Sequence, residues 1–417
     1  MAQLSGDCFA FGGSVLSIDD AVKLLGERLD IVEGGETIAL ASADGRILAR
    51  PITAPLALPP FTNSAVDGYA LRGEDLPVDR EASFAVTDWV QAGAAAAAPA
   101  AAGKAIRIFT GAPMPEGADT VFMQEDARAE GGKVTLPSGL RRGANVRPVG
   151  EDVAAGQVVL DAGHRLRPQD VAMLAALGLT EVRVRRRLRV AVFSTGNEIV
   201  SPGESRAPMQ LFDANRFMLI AMLGRLGCDV GDLGILRDDP DATAAVLEHA
   251  SAHHDLILTS GGVSTGEADY VKQAVEKVGT LVFWRMAIKP GRPVAMGVIG
   301  GTPFIGLPGN PVASFITFAY VARPAILALS GSPLPRLPAL PVRAAFSYKK
   351  KPGRREYVRV SLRKAEDGTL EATKFPREGA GMLSSLVETD GLVELHEQVT
   401  GVAPGQNVPF LSYTSLF

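Results

Sequence analysis

Between Asp255 and Tyr270 the chain reads Asp-Leu-Ile-Leu-Thr-Ser-Gly-Gly-Val-Ser-Thr-Gly-Glu-Ala-Asp-Tyr, which holds the ingredients of an anion site. The apolar run Leu256 to Thr259 reads as a buried strand, and Gly261 and Gly262 allow a sharp turn into a helix. Exposed amides at such a helix start attract phosphate or another oxyanion. Ser264 and Glu267 have capping-box spacing, and Asp269 beside them could hold a metal or accept a proton. The competing reading is ordinary capping, because the same residues occur at helix starts that bind nothing.

Other reactive groups are scattered along the chain. Ser194-Thr195-Gly196-Asn197-Glu198 and Arg237-Asp238-Asp239-Pro240 each follow an apolar run, Arg285, Lys289 and Arg292 follow Trp284, and Pro308-Gly309-Asn310-Pro311 opens a helix. Asp67 stands in a turn reached through the stiff Pro59-Pro60 pair. Thr110 and Arg147 lie in rigid loops suited to oxyanion contacts, although loop residues of these types are more often simply solvated.

The elements that must position these groups are clearest over residues 187–330, where strand and helix patterns alternate. Apolar runs at Val190 to Phe193, Val230 to Leu236, Leu256 to Thr259, Leu281 to Trp284, Val294 to Gly297 and Phe304 to Leu307 predict a doubly wound α/β unit. Asp213 should cap one helix, and an Asp before Pro240 another. In such sheets ligands bind outside the carboxyl ends of the strands. That rule gathers Thr195, Glu198, Asp238, Gly261 to Asp269 and Pro308 to Asn310 on one rim, where clustered carboxylates imply a bound cation or a shared proton. Arg285, Lys289 and Arg292 could clamp a phosphate or inorganic oxyanion beside that rim. Before this unit, Ser17 caps a helix whose stripe is Ile18, Val22, Leu25 and Leu29, and residues 71–153 look β-rich, with Ala92 to Gly103 as a loop. The arginine-rich run Val182 to Arg189 alternates at strand period and reads as a solvated face. After Leu334 to Pro338, a linker, the pattern is that of a small β-barrel, with Tyr348 to Val360 read as a hairpin.

A chain of 417 residues divides into about two to four domains. Its net charge of −4 argues against a nucleic-acid surface. Two cysteines, Cys8 and Cys228, give no disulfide framework or cysteine-based zinc site and fit a reducing compartment. No signal-peptide pattern and no run of transmembrane length is read, so the expected setting is cytoplasmic, away from membranes. No Walker loop, dinucleotide fingerprint or histidine metal motif is seen, which disfavours nucleotide triphosphatases and dehydrogenases.

The motifs Asn63 to Ala70, Arg107 to Pro113, Asn145 to Arg147, Ser194 to Glu198, Arg237 to Pro240, Ser260 to Tyr270, Ala287 to Gly291 and Leu307 to Pro311 occur together and in order, and together they resemble the molybdopterin molybdenumtransferase family, which includes the E domain of gephyrin. The resemblance implies an α/β multidomain protein. Its parts would be an elongated α+β linking domain (15–53 and 154–186), a β-rich domain carrying Asp67 (54–153), a molybdopterin-binding domain (187–330) and a C-terminal β-barrel (331–417). It implies insertion of molybdate into adenylylated molybdopterin with release of AMP, Mg²⁺ as the assisting ion, and a homodimer whose cleft is shared between subunits. Transient contact with the molybdopterin adenylyltransferase is implied as well. On this resemblance Asp67, Thr110, Glu198, Asp269 and Lys289 carry the chemistry. Arg147, Thr195, Asn215, Gly261, Gly262, Ser264, Arg285, Arg292, Pro308, Gly309 and Asn310 bind substrate, and Asp238 and Asp269 position the metal. In those roles Lys289 and Arg147 would hold oxyanions, and Glu198 and Asp67 would assist proton transfer. Arg285 stands where many relatives carry Lys, and Glu378 to Ser385 departs from their serine-containing glycine turn. Two alternatives belong to other classes: the preceding adenylylation of molybdopterin, which needs only the α/β module, and a non-catalytic scaffold of the same fold.

Overall fold

The computed structural model describes residues 4–10, 15–262, 270–335 and 337–416. At its centre lies a sheet of β1 (Arg189–Thr195), β2 (Asp229–Leu236), β3 (Leu256–Ser260), β4 (Gly279–Arg285), β5 (Pro293–Ile299) and β6 (Thr302–Leu307), in the order β2-β1-β3-β6-β5-β4. The two-residue period of each strand divides its side chains between two cores. Val190, Val192, Leu256 and Leu258 meet Leu219, Met222 and Leu223 of helix α1 (Asn215–Arg225). Ala191, Phe193 and Ile257 meet α2 (Pro240–His253) and α3 (Tyr270–Val278) through Leu247, Val271 and Val275. Burial on both faces is why these strands read as unbroken apolar runs. Helix α1 joins β1 to β2 and α2 joins β2 to β3 on opposite faces, so the winding reverses between β1 and β3.

The doubly wound pattern holds, with one difference from a purely parallel sheet. β5 runs antiparallel to both β4 and β6. The cause is the Gly300-Gly301 turn between β5 and β6, with φ of +55° and +85°, the two consecutive positive values a two-residue hairpin requires.

The predicted caps form. Asp239 accepts from the amides of Asp241 and Ala242 with Pro240 in the first turn, and Asp213 accepts from the amide of Arg216 at 3.2 Å. Ser17 caps Ile18–Arg28, and that helix buries Ile18, Ala21 and Leu25 in the core of the central unit. Helical residues Pro311–Leu329 correct one expectation, since they are long and apolar enough by composition to cross a membrane. They are 94% buried within the protein, as a core helix is.

Around this centre, Gly35–Ala39 pairs antiparallel with Glu181–Arg185, joining two segments distant in sequence. A β-rich lobe holds six strands in the order Thr120–Met123, Gly68–Leu71, Lys104–Ile108, Ala82–Val90, Lys133–Leu136, Arg128–Glu130. The C-terminal strands Leu340–Ala344, Arg355–Lys364, Leu370–Lys374, Gly391–Leu395 and Asn407–Ser412 close into a barrel, since Arg355–Lys364 pairs with both Leu370–Lys374 and Gly391–Leu395. The expected hairpin is corrected: Tyr348–Lys349 pairs with Gly401–Val402, while both barrel edges of Arg355–Lys364 are already taken.

The arginine run is also corrected. Arg186 and Arg189 are not simply solvated but clamp Asp255, whose side chain is 1% exposed, at 2.6 and 3.1 Å. Burial pushes the Asp255 carboxyl up, but the hydrogen bonds from Arg186 and Arg189 outweigh it and hold the pKa at about 2. A folded-state value below the unfolded one means the clamp stabilises fully above about pH 4 and is lost as pH falls through the folded pKa. Asp255→Asn is therefore expected to cost about 2 kcal/mol at pH 7. In urea melts the gap from the parent protein should shrink below pH 4, whereas a gap independent of pH would remove the clamp from the stability of the fold.

Candidate active site

The crevice at the carboxyl ends of β1 and β3 is built by residues that tolerate no enlargement. Gly261 and Gly262 have φ of +98° and +62°, and a Cβ on Gly262 would stand 2.5 Å from Val271 and 2.7 Å from Thr195. The turn therefore brings no side chain of its own to the crevice. The Gly261 amide donates to Leu307 O at 3.0 Å, which ties it to the Pro308-Gly309-Asn310 turn after β6. Asn215, at the start of α1, joins the two turns. Its Nδ2 donates to Ser260 Oγ at 2.9 Å and Gly309 O at 2.7 Å, while its Oδ1 is buried and has no partner among the described residues. Behind it, buried Arg216 bonds Asp213 at 2.9 Å and Asp232 at 2.6 Å, and Ser194 donates to Asp213, fixing the end of β1 to α1. Ser264 and Asp269, and with them the predicted capping box, lie outside the described residues.

Glu198 follows β1 and folds its carboxylate over Gly196. Asp238 follows β2 on the same rim, and with Asp239 used as a helix cap, Asp238 carries no hydrogen bond or ion pair among the described residues. No group of three or more His, Cys, Asp or Glu side chains gathers there among the described residues. Among the described residues the Asp238 and Glu198 carboxylates both stand on this rim without a hydrogen bond or ion pair, and oxygen donors of this kind fit a Mg²⁺ ion that takes its remaining ligands from phosphate and water.

Arg285 is not beside this rim. It ends β4, three strands from β3, or roughly 14 Å at the usual spacing. Lys289 leaves the sheet altogether: Ile288–Lys289 adds a parallel strand to the barrel beside Arg355 and Glu356, and Arg292 lies exposed in the returning loop. Lys289 Nζ reaches Glu356 at 3.6 Å and Tyr348 Oη at 3.4 Å. Glu356 is 1% exposed; burial raises its pKa, but hydrogen bonds from Tyr348 and Arg354 and the charge of Lys289 bring it below the usual carboxylate range. A fixed anion thus holds the ammonium at the mouth of a cleft of about 180 Å³ between the central unit and the barrel.

That cleft was not legible in the sequence. Arg359, Lys374 and Arg377 of the barrel join Lys289 in lining it, against one lining carboxylate, Glu378. Arg359 donates to Gly379 O at 2.9 Å and keeps a buried Nε that has no partner among the described residues. The Glu378 to Ser385 segment closes the cleft onto the rim, because Val312 N donates to Ala380 O at 2.9 Å and a Cβ on Gly381 would meet Asn310 Oδ1 at 3.6 Å. The cationic cleft and the turn of Pro308 to Asn310 therefore share one wall.

Asp67 and Arg147 stand apart from both. Asp67 Oδ1 accepts from the amide of Thr110 at 2.8 Å and from its hydroxyl at 2.7 Å, so Thr110 positions the carboxylate and these bonds hold its pKa below the usual range. Arg147 is exposed on the short pair Val146–Arg147 with Asn63–Ser64. Among the described residues 60–150, every hydrogen bond closes within this lobe and none reaches the central unit.

Comparison with known proteins agrees with this architecture. Three family models match in succession: the MoeA N-terminal region (domains I and II) over residues 16–178, a probable molybdopterin binding domain over 191–328, and the MoeA C-terminal region (domain IV) over 341–413. The chain is 37% identical to a molybdopterin molybdenumtransferase of Haemophilus influenzae over 404 residues, 96% of this chain and 100% of that one. It is 35% identical to one of Nostoc sp. over 390 residues, 91% of this chain and 89% of that one. The crystal structure of a molybdopterin biosynthesis moeA protein from Pyrococcus horikoshii OT3 superposes with a TM-score of 0.80 at 30% identity, covering 96% of this chain and 100% of that one.

Proposed function

The chain belongs to the molybdopterin molybdenumtransferase family, transferases of molybdenum cofactor biosynthesis, and on that premise we propose how its residues divide the work of inserting molybdate into adenylylated molybdopterin. The phosphoanhydride of the substrate lies on the turn amides of Gly262, Gly309 and Asn310, while molybdate enters the cleft of Lys289, Arg359, Lys374 and Arg377. What supports this reading is the wall the two sites share at Asn310 to Val312. Both reacting groups are anions, so bringing them together needs fixed positive charge on one side and oriented amides on the other.

The steps balance simply. Water attacks one phosphorus of the anhydride, the P–O bond breaks and AMP leaves; two Mo–S bonds form as molybdate oxygen departs as water with the dithiolene protons. Lys289 and Arg359 hold the dianion through those exchanges, and Arg359 Nε, buried without a partner among the described residues, has a donor to give. Mg²⁺, when bound, would lower the charge repulsion between anhydride and attacking water, with Asp238 as its protein ligand. Asp67 is reached from a second subunit in a homodimer, since within one chain its lobe closes on itself; it serves there as an ionised acceptor. The setting is cytoplasmic, where the adenylyltransferase would hand over its product.

The adenylyltransferase alternative is separated by its products. Purified protein given ATP and molybdopterin should release no pyrophosphate, whereas adenylylated molybdopterin with molybdate should yield AMP; pyrophosphate from the first mixture would favour the other enzyme. A scaffold would yield neither.

Lys289→Ala is expected to raise the molybdate concentration for half-maximal AMP release on the order of 10-fold or more, the worth of one charged hydrogen bond. The thermal midpoint should move little, because Glu356 keeps Tyr348 and Arg354. An unchanged molybdate dependence would make Lys289 a tether of the barrel and nothing more.

A further inference from the structure

We propose that the sheet face beside Asp67 is a stacking platform for a flat nitrogen heterocycle with an exocyclic amine, built on Trp89, Phe109 and Arg107 and completed by the Asp67 carboxylate. This deepens the reading above and rests on it, because adenylylated molybdopterin carries two such rings, an adenine and a pterin. Strand register assembles the face. Trp89 pairs with Arg107 and Arg107 with Tyr69, so all three project on one side. Phe109 and Asp67 stand two residues from Arg107 and Tyr69 along their chains and continue that side toward the Thr110 turn.

Trp89 is 60% exposed, while the chain's other tryptophan, Trp284, is 1% exposed. An indole left in water forgoes a large burial gain, and an exposed aromatic beside fixed charges marks a contact surface. Trp89 meets Phe109 edge-on, with ring centroids 6.4 Å apart and planes at 79°, a contact that fixes the indole without covering both of its faces. The Arg107 guanidinium lies 4.9 Å from the Tyr69 ring centroid and 5.1 Å from that of Phe109, and is held by Gly68 O and the Gln124 side chain. Both Thr110 bonds fall on Asp67 Oδ1, which leaves Oδ2 without a hydrogen bond among the described residues. An ionised, immobilised carboxylate oxygen accepts from an exocyclic amine, the aromatic pair takes the ring, and Arg107 attracts an attached phosphate. A protein partner fits less well, because interface centres are depleted of charged side chains and this face has one of each sign fixed beside its rings.

The test reads the emission of Trp89, the accessible tryptophan, in the full-length protein titrated with AMP or with pterin. One of the two should shift that emission and shield it from acrylamide, AMP assigning the adenine and pterin the pterin ring. Trp89→Ala should then weaken binding of that ligand on the order of 10-fold or more, and Trp89→Phe should restore most of it. Far-ultraviolet circular dichroism should be unchanged in both, since the side chain is exposed. Silence toward both ligands overturns the platform, as does a Trp89 already shielded from acrylamide in the free protein because a second copy covers it. AMP release from adenylylated molybdopterin decides the underlying reading separately: a turning-over enzyme with a silent Trp89 sinks the platform alone, and an inactive one with a responding Trp89 sinks the insertion reading alone.

Discussion

Asp67→Asn is expected to lower AMP release on the order of 10²- to 10⁴-fold while leaving the fold intact, because the amide keeps the size of the side chain and loses the charge that Thr110 holds in place. Glu198→Gln, on the rim of the central unit, should show a comparable loss. The informative experiment mixes the two variants after mild dissociation. Asp67 and Glu198 lie in lobes that make no hydrogen bond to each other among the described residues, so a cleft shared between subunits gives each mixed dimer one intact pair. Recovery toward a quarter of parental activity follows from statistical mixing with one good cleft in each mixed dimer, half of the population. No recovery, with mixed dimers shown to form, would mean that each chain completes its own site.

The second large effect belongs to Gly262. An alanine there must hold φ near +62° and drive its methyl against Val271 at 2.5 Å and Thr195 at 2.7 Å, both on the walls of the crevice. Left-handed backbone costs a β-carbon-bearing residue about 1–2 kcal/mol, and overpacking adds roughly 1–3 kcal/mol. Gly262→Ala should therefore melt earlier by denaturant titration and lose retention of adenylylated molybdopterin. Gly143→Ala makes the matching control: it is a surface turn with φ of +84° and nothing within 4 Å of the place its methyl would take, so it carries the backbone strain without the collision. If the two variants retained substrate equally well, the Gly-Gly turn would be a fold element without a part in binding.

What was legible in the chain follows from how locally each feature is encoded. The central strands announced themselves because burial on both faces leaves unbroken apolar runs such as Val190 to Phe193, and the caps at Ser17 and Asp239 need only their own next few residues. The antiparallel β5 was written in Gly300-Gly301 but outweighed by the strand–helix rhythm before it. The cationic cleft was hidden for a different reason. Arg359 and Lys374 alternate with apolar residues as any barrel strand does, and only the packing of the barrel against Lys289 brings them to one cleft. Thr110 and Asp67, 43 residues apart, meet through pairing of Gly68 with Ile108, a register no short motif specifies. Arg186 and Arg189 looked like a solvated face because their anion, Asp255, lies far along the chain.

The division of the site into a phosphate-holding rim and a molybdate-holding cleft is tested most directly by one single-turnover measurement on the purified protein with adenylylated molybdopterin, Mg²⁺ and limiting molybdate. AMP released and molybdenum bound to the pterin dithiolene are counted in the same sample, for the parent protein and for Arg359→Ala. Expected are equal amounts of the two products in the parent, and in Arg359→Ala a loss of molybdenum transfer that added molybdate partly restores. Substrate retention on the rim should be unchanged. AMP released without molybdenum transfer in the parent, or loss of substrate retention in the variant, would contradict it.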